Sequence, residues 1–199
     1  KCVNCSKSFP SRYAFVELIT AILTIIIYLI FDISPLFFIY LVLTYLLIAV
    51  TFVDIDHFII PNGFILFGLA VLILSLIFDI LSIRWEYSVS GSFVFAGFLF
   101  FIGLIGQFIL KKESIGFGDV KLGLILGGFL GVEYSILALY LSFALSAILI
   151  IAFYRTKINS GDTKIPFGPY LAAGTLISLF TIEPNGSNYI LNWYYRTMF

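Results

Sequence analysis

The chain has 199 residues, of which 61% are hydrophobic, 19% aromatic and only 11% charged. A water-soluble domain carries roughly a quarter charged residues, so this composition excludes one and places the chain in a bilayer. Eleven basic and eleven acidic residues cancel, which excludes a nucleic-acid footprint or an acidic tail and directs attention to where the few charges sit.

The chain opens on KCVNCSKSFPSR, a polar stretch without an initiator Met that does not read as a signal peptide. On this basis we expect a fragment of a longer protein. Cys2 and Cys5, in C-x-x-C spacing, could form a disulfide, a redox pair or half of a metal site, and spacing alone does not choose.

Crossing about 30 Å of hydrocarbon takes a run of about 20 apolar residues. Such runs fall near 14–31, 35–53, 61–80, 91–110, 134–155 and 165–182. Between the fourth and fifth lies 119–131, DVKLGLILGGFLG, which would make only about 20 Å of helix. It cannot cross alone, so Asp119 at its start must lie below the near surface in a protein-lined or wet recess. Counting this segment, the sequence predicts an all-α, polytopic membrane helix bundle of about seven membrane helices.

Assigning the connections alternately to two sides lets the basic residues vote. Lys1, Lys7, Arg12, Lys111, Lys112, Lys121, Arg155, Lys157 and Lys164 fall on one side, and only Arg84 and Arg196 on the other. The positive-inside rule makes the first side the cytoplasm. Asp32, Asp79, Glu86, Glu133 and Glu183 lie at outer ends or loops, where a solvated boundary carboxylate is the ordinary situation. Asp54 and Asp119 differ from these because they stand on the cytoplasmic side at apolar helix ends, where ionisation is costly.

Asp54 belongs to TFVDIDHFIIPNGF at 51–64. It directly follows an apolar span, and Pro61 starts the next helix, a sound place for a residue without an N–H. By residue type alone, Asp54, Asp56 and His57 in a short interhelical turn read as solvated boundary groups. Asp119 belongs to SIGFGDVKLG at 114–123. Two glycines two apart permit unusual backbone angles or close passage, and a carboxylate suits the helix N-terminus. The dinucleotide fingerprint fails at Lys121, and a phosphate-binding loop fails for want of G-K-[ST].

Two aspartates near one boundary are the minimum equipment for aspartyl proteolysis, in which one carboxylate takes a proton from water and the other donates to the scissile carbonyl. A single His excludes most His-based mechanisms. The alternative from another class is an ion- or proton-coupled transporter using the same carboxylates; it is opposed by their position near one face and by the absence of an inverted repeat. Gly123, Gly127 and Gly131, and on the following helix Ala138, Ser142 and Ser146, recur every four residues and read as packing stripes.

Asp54 in D-x-D-x-x-x-I-P, Gly116-Phe117-Gly118-Asp119-Val120-Lys121, and Ile165-Pro166-Phe167-Gly168-Pro169 together resemble the bacterial prepilin leader peptidases, membrane aspartyl proteases of the GxGD type. The opening C-x-x-C and the S-R-Y-x-x-V-E-L-x-T-A run at 11–21 are similar to the end of that family's cytoplasmic cysteine loop and the helix after it. The resemblance implies that Asp54 and Asp119 are catalytic, that Gly116, Gly118, Lys121 and Pro61 shape the site, and that Asp56 is not a catalyst. It implies cleavage of basic leaders from type IV prepilins and pseudopilins at the cytoplasmic boundary of the bacterial inner membrane, with no cofactor for proteolysis. Residues 1–13 would be a remnant of the cysteine loop and 14–199 the peptidase domain. Full-length members hold a structural zinc on four cysteines, of which Cys2 and Cys5 would be half. Many also N-methylate the product, an activity associated with the amino-terminal part, so the resemblance implies S-adenosylmethionine here only if methylation is retained. An archaeal preflagellin peptidase is the neighbouring alternative. Asn62 stands where many relatives carry Asp.

Overall fold

A computed structural model describes residues 11–81, 83–110, 115–155, 165–182 and 188–198. Cys2 and Cys5 lie outside them, as do six of the lysines used to orient the chain. The described residues form seven helices, α1 (Ser11–Phe31), α2 (Pro35–His57), α3 (Asn62–Ile77), α4 (Trp85–Leu110), α5 (Phe117–Arg155), α6 (Gly168–Phe180) and α7 (Tyr189–Met198). Helices α1, α2, α4 and α5 are long and apolar enough to cross a membrane, while α3 and α6 are shorter apolar helices. The protein is an all-α membrane bundle.

Local chemistry sets the helix ends. Ser34 caps α2, its hydroxyl accepting from the Phe37 N–H at 3.2 Å ahead of Pro35 in the first turn. At the other end Phe58 adopts a left-handed conformation (φ 55°) and donates its N–H to the Asp54 carbonyl at 2.8 Å, a helix-ending geometry. The expected span of 35–53 therefore gains another turn of helix, and Asp54 and Asp56 lie on that turn instead of in a loop. Pro61 immediately precedes α3 with φ −62° and ψ 136°, so it caps the helix and Asn62 begins it.

Helix α5 contains both the expected short segment and the span after it. Gly131 has φ 71° and ψ −177°, a backbone conformation that glycine adopts freely and residues with a Cβ do not. The chain folds back there: the Ser135 hydroxyl comes within 3.5 Å of the Gly127 carbonyl oxygen, although eight residues of straight helix would separate them by about 12 Å. The result is a first arm, 117–130, and a second, 132–155.

Lipid tails are as apolar as leucine, so helices in a bilayer associate through close packing and interhelical hydrogen bonds more than through burial of greasy surface. The small residues act in this way. Gly91 of α4 and Gly127 of the first arm meet backbone to backbone, and a Cβ on Gly91 would lie 2.6 Å from the Gly131 carbonyl carbon. Ser88 donates to the Gly128 carbonyl at 2.8 Å across the same contact. Gly174 of α6 fits against Ala138 and Ser142 of the second arm, and Ser178 donates to the Tyr134 carbonyl at 3.1 Å. The core thus encloses the first arm, with Leu122, Leu126 and Phe129 buried. Helix α1 is peripheral, with Ile27 its one buried residue.

Candidate active site

Four chain segments converge at one end of the bundle: the last turn of α2, the start of α3, the start of α5 and the start of α6. Asp54 projects from the first and is 5% exposed; Asp119 projects from the first turn of α5 and is 8% exposed. Gly118, beside Asp119, packs on Ile60 of the connection that follows Asp54, so residues 65 positions apart in the sequence stand at one end of the bundle.

Each carboxylate is oriented by one backbone N–H. Gly116 donates to Asp119 Oδ2 at 3.2 Å, closing the G-F-G-D turn on itself. Gly168, the first residue of α6, donates to Asp54 Oδ2 at 2.9 Å. A Cβ at Gly168 would lie 2.7 Å from that same oxygen, so the carboxylate and the α6 N-terminus approach this closely only with glycine there. The favourable field of a helix N-terminus then points at Asp54.

Gly118 presses the turn against the α2–α3 connection: a Cβ there would lie 3.2 Å from the Cβ of Ile60. Lys121, implied by the resemblance to shape the site, donates its Nζ to Asn62 Oδ1 at 3.0 Å and lies 5.1 Å from the centroid of the Phe117 ring. It clasps the start of α3 to the first arm of α5. Pro61 sits between Ile60 and Asn62, where its fixed φ sets the angle between these two contacts.

The remaining polar groups of the α2 end face away. Asp56 pairs with Arg12 of α1 at 2.8 Å, and the same guanidinium donates to the Phe52 carbonyl at 3.3 Å and lies 5.0 Å from the Phe52 ring centroid. His57 is exposed. Among the described residues no group of three or more His, Cys, Asp or Glu side chains could hold a metal ion.

Sequence reasoning singled out both buried aspartates, the two glycines of the turn and Pro61, but not Gly168 or Asn62 as contacts of the site. The signal for Gly168 was present in PFGP, where a glycine between a bulky residue and a helix-starting proline has little reason to be there unless something must come close.

A profile of the type IV leader peptidase family matches residues 41–151, a stretch containing Asp54, Asp119 and the connections between them. The chain is also similar to curated proteins named prepilin leader peptidase/N-methyltransferase. It is 32% identical over 202 residues to that of Aeromonas salmonicida, covering 100% of this chain and 66% of the relative. The corresponding protein of Legionella pneumophila is 30% identical over 196 residues, covering 98% and 66%. That of Pseudomonas putida is 30% identical over 189 residues, covering 94% and 65%. The chain therefore spans just under two thirds of the length of these relatives. No solved structure matches it.

Proposed function

Because the chain belongs to the type IV leader peptidase family, we propose that it is an aspartyl endopeptidase of the bacterial inner membrane that cuts the basic leader from type IV prepilins or pseudopilins at the cytoplasmic boundary, with Asp54 and Asp119 as its catalytic pair. The observation that supports the proposal is the burial of both carboxylates at one end of the bundle, delivered from the end of one helix and the start of another.

Carboxylates that share a low-dielectric site hold one proton between them. The charged member takes a proton from water as the water oxygen bonds to the scissile carbonyl carbon, and the neutral member gives its proton to the carbonyl oxygen. Collapse of the resulting gem-diol breaks the C–N bond, and the departing nitrogen receives a proton. The backbone donors at Gly116 and Gly168 hold the two carboxylates for this exchange without themselves changing protonation. The proposal covers peptidase chemistry; the N-methyltransferase in the relatives' names is not carried over.

The test is cleavage of a type IV prepilin by the purified protein in detergent or liposomes. Asp54→Ala and Asp119→Ala should each abolish cleavage while the protein still inserts and folds, and Asp56→Ala should retain most activity. Full activity in either of the first two variants would overturn the assignment.

A further inference from the structure

Helix α7 was not expected from the sequence, and the active site makes no use of it. Its ten residues, Tyr189–Met198, rise about 15 Å and include Asn192 and Arg196. Among the described residues no other helix packs along it. It is nevertheless held firmly at its root. Asn188 is 1% exposed, donates from Nδ2 to the Ser178 carbonyl and to the Thr181 hydroxyl, both at 3.0 Å, and accepts the Ile190 N–H on Oδ1 at 3.0 Å. The Tyr189 N–H donates to the Thr181 carbonyl at 2.9 Å. One side chain thus ties the end of α6 to the start of α7 and caps the latter.

The distribution of residues around α7 is ordered. At about 100° per residue, Asn192 and Arg196 share one stripe and Tyr194 lies opposite it. Trp193 and Tyr195 fall on the two borders, each about 80° from the centre of the polar stripe. Trp193, Tyr194 and Tyr195 are exposed. Tryptophan and tyrosine on the borders between a polar and an apolar face suit a helix lying in the plane where headgroups meet acyl chains.

A second observation sets the same level on another helix. The chain has two tryptophans, and the other, Trp85, begins α4 with Tyr87 beside it, both exposed. The Gly131 fold-back joins these positions: it lies against Ile83 and the Tyr87 carbonyl, and three residues on, Tyr134 accepts from Ser178 of α6. Trp85, Tyr87 and α7 therefore occupy the same end of the bundle, opposite the aspartates, and Trp and Tyr concentrate at such ends in membrane proteins.

We infer that α7 is an interfacial anchor that lies flat in the lipid headgroup layer on the membrane face opposite the aspartates. Its occupant is the bilayer of the chain's own membrane, with Tyr194 toward the acyl chains, Arg196 toward phosphates and water, and Trp193 and Tyr195 at the boundary. The inference does not depend on the peptidase proposal, and neither does its readout.

The experiment is tryptophan fluorescence of the full chain in phosphatidylcholine and phosphatidylglycerol liposomes, with Trp85→Phe leaving Trp193 as the sole emitter. Emission should be blue-shifted, barely reduced by acrylamide, and reduced more by phospholipids brominated near the glycerol end than by those brominated near the chain terminus. Strong acrylamide quenching without a bromine effect would overturn the inference, as would greater quenching by the deep bromines. The unmodified chain measured against Trp193→Phe yields the same contrast by difference, so the result stands even if Trp85→Phe fails to reconstitute.

Discussion

The backbone N–H of Gly168 donates to the carboxylate of Asp54 at 2.9 Å across 114 residues of chain. It makes the start of α6 part of the site, though neither Gly168 nor any neighbour in IPFGP can itself move a proton. A hydrogen bond to a charged acceptor contributes about 1.5–3 kcal/mol, and here it fixes which way the acceptor points. Gly168→Ala should therefore reduce kcat for leader cleavage by about tenfold to a hundredfold in a protein that still inserts and purifies, because the added Cβ must displace either the carboxylate or the helix start. Unchanged kcat would show that Asp54 needs no such partner.

The Asn62–Lys121 contact lends itself to a double-mutant cycle. If the pair clasps α3 to α5, Asn62→Ala and Lys121→Met should each slow cleavage by up to about tenfold, the scale of one ordinary hydrogen bond. The double variant should be no slower than the worse single one. Asn62→Asp keeps an acceptor in place and should retain activity. Fully additive losses would mean that Lys121 acts elsewhere.

The aspartates were legible in the sequence because a carboxylate at an apolar helix end is conspicuous, and the first arm was legible because 119–131 is too short to cross. What was not legible turned on backbone. That α2 runs on to His57 depends on the left-handed Phe58, and nothing in that residue's type announces it. That Gly168 serves Asp54 depends on which helix start reaches the site, a fact of packing. Helix α7 escaped because ten residues with Asn192 and Arg196 among them register in no window scaled to a bilayer, although the spacing of its aromatic residues was readable once a helix was assumed.

The crossing of α4 over the first arm of α5 separates two kinds of glycine. A side chain on Gly91 would press on the Gly131 backbone, 2.6 Å from its carbonyl carbon, which cannot move aside as a flexible side chain could. Gly91→Val should destabilise the bundle by about 3 kcal/mol or more, read as the midpoint of unfolding in mixed detergent. At Gly97, six residues along the same helix, an added Cβ would meet nothing within 4 Å. Gly97→Ala should be neutral or stabilising by up to about 1 kcal/mol through helix propensity.

Arg12 and Asp56 make the shortest ion pair among the described residues, yet both side chains are well exposed, and such pairs contribute little. Arg12→Ala should leave both the melting temperature and the cleavage rate close to those of the unaltered protein. A collapse of activity in Arg12→Ala with Asp56→Ala unaffected would instead point to the contacts of the guanidinium with Phe52.

The backbone contact between Gly91 and Gly127 has a mechanical consequence. With no side chains between them to deform, α4 and the first arm have no room to slide past one another, so Asp119 keeps its height relative to α4. When the surrounding membrane thickens or thins, the strain falls on the outer helix faces and the lipids against them, while Asp119 travels with α4 and the first arm as one block. Bilayers of different acyl-chain length should then change how readily a substrate reaches the site and leave the chemistry inside it alone.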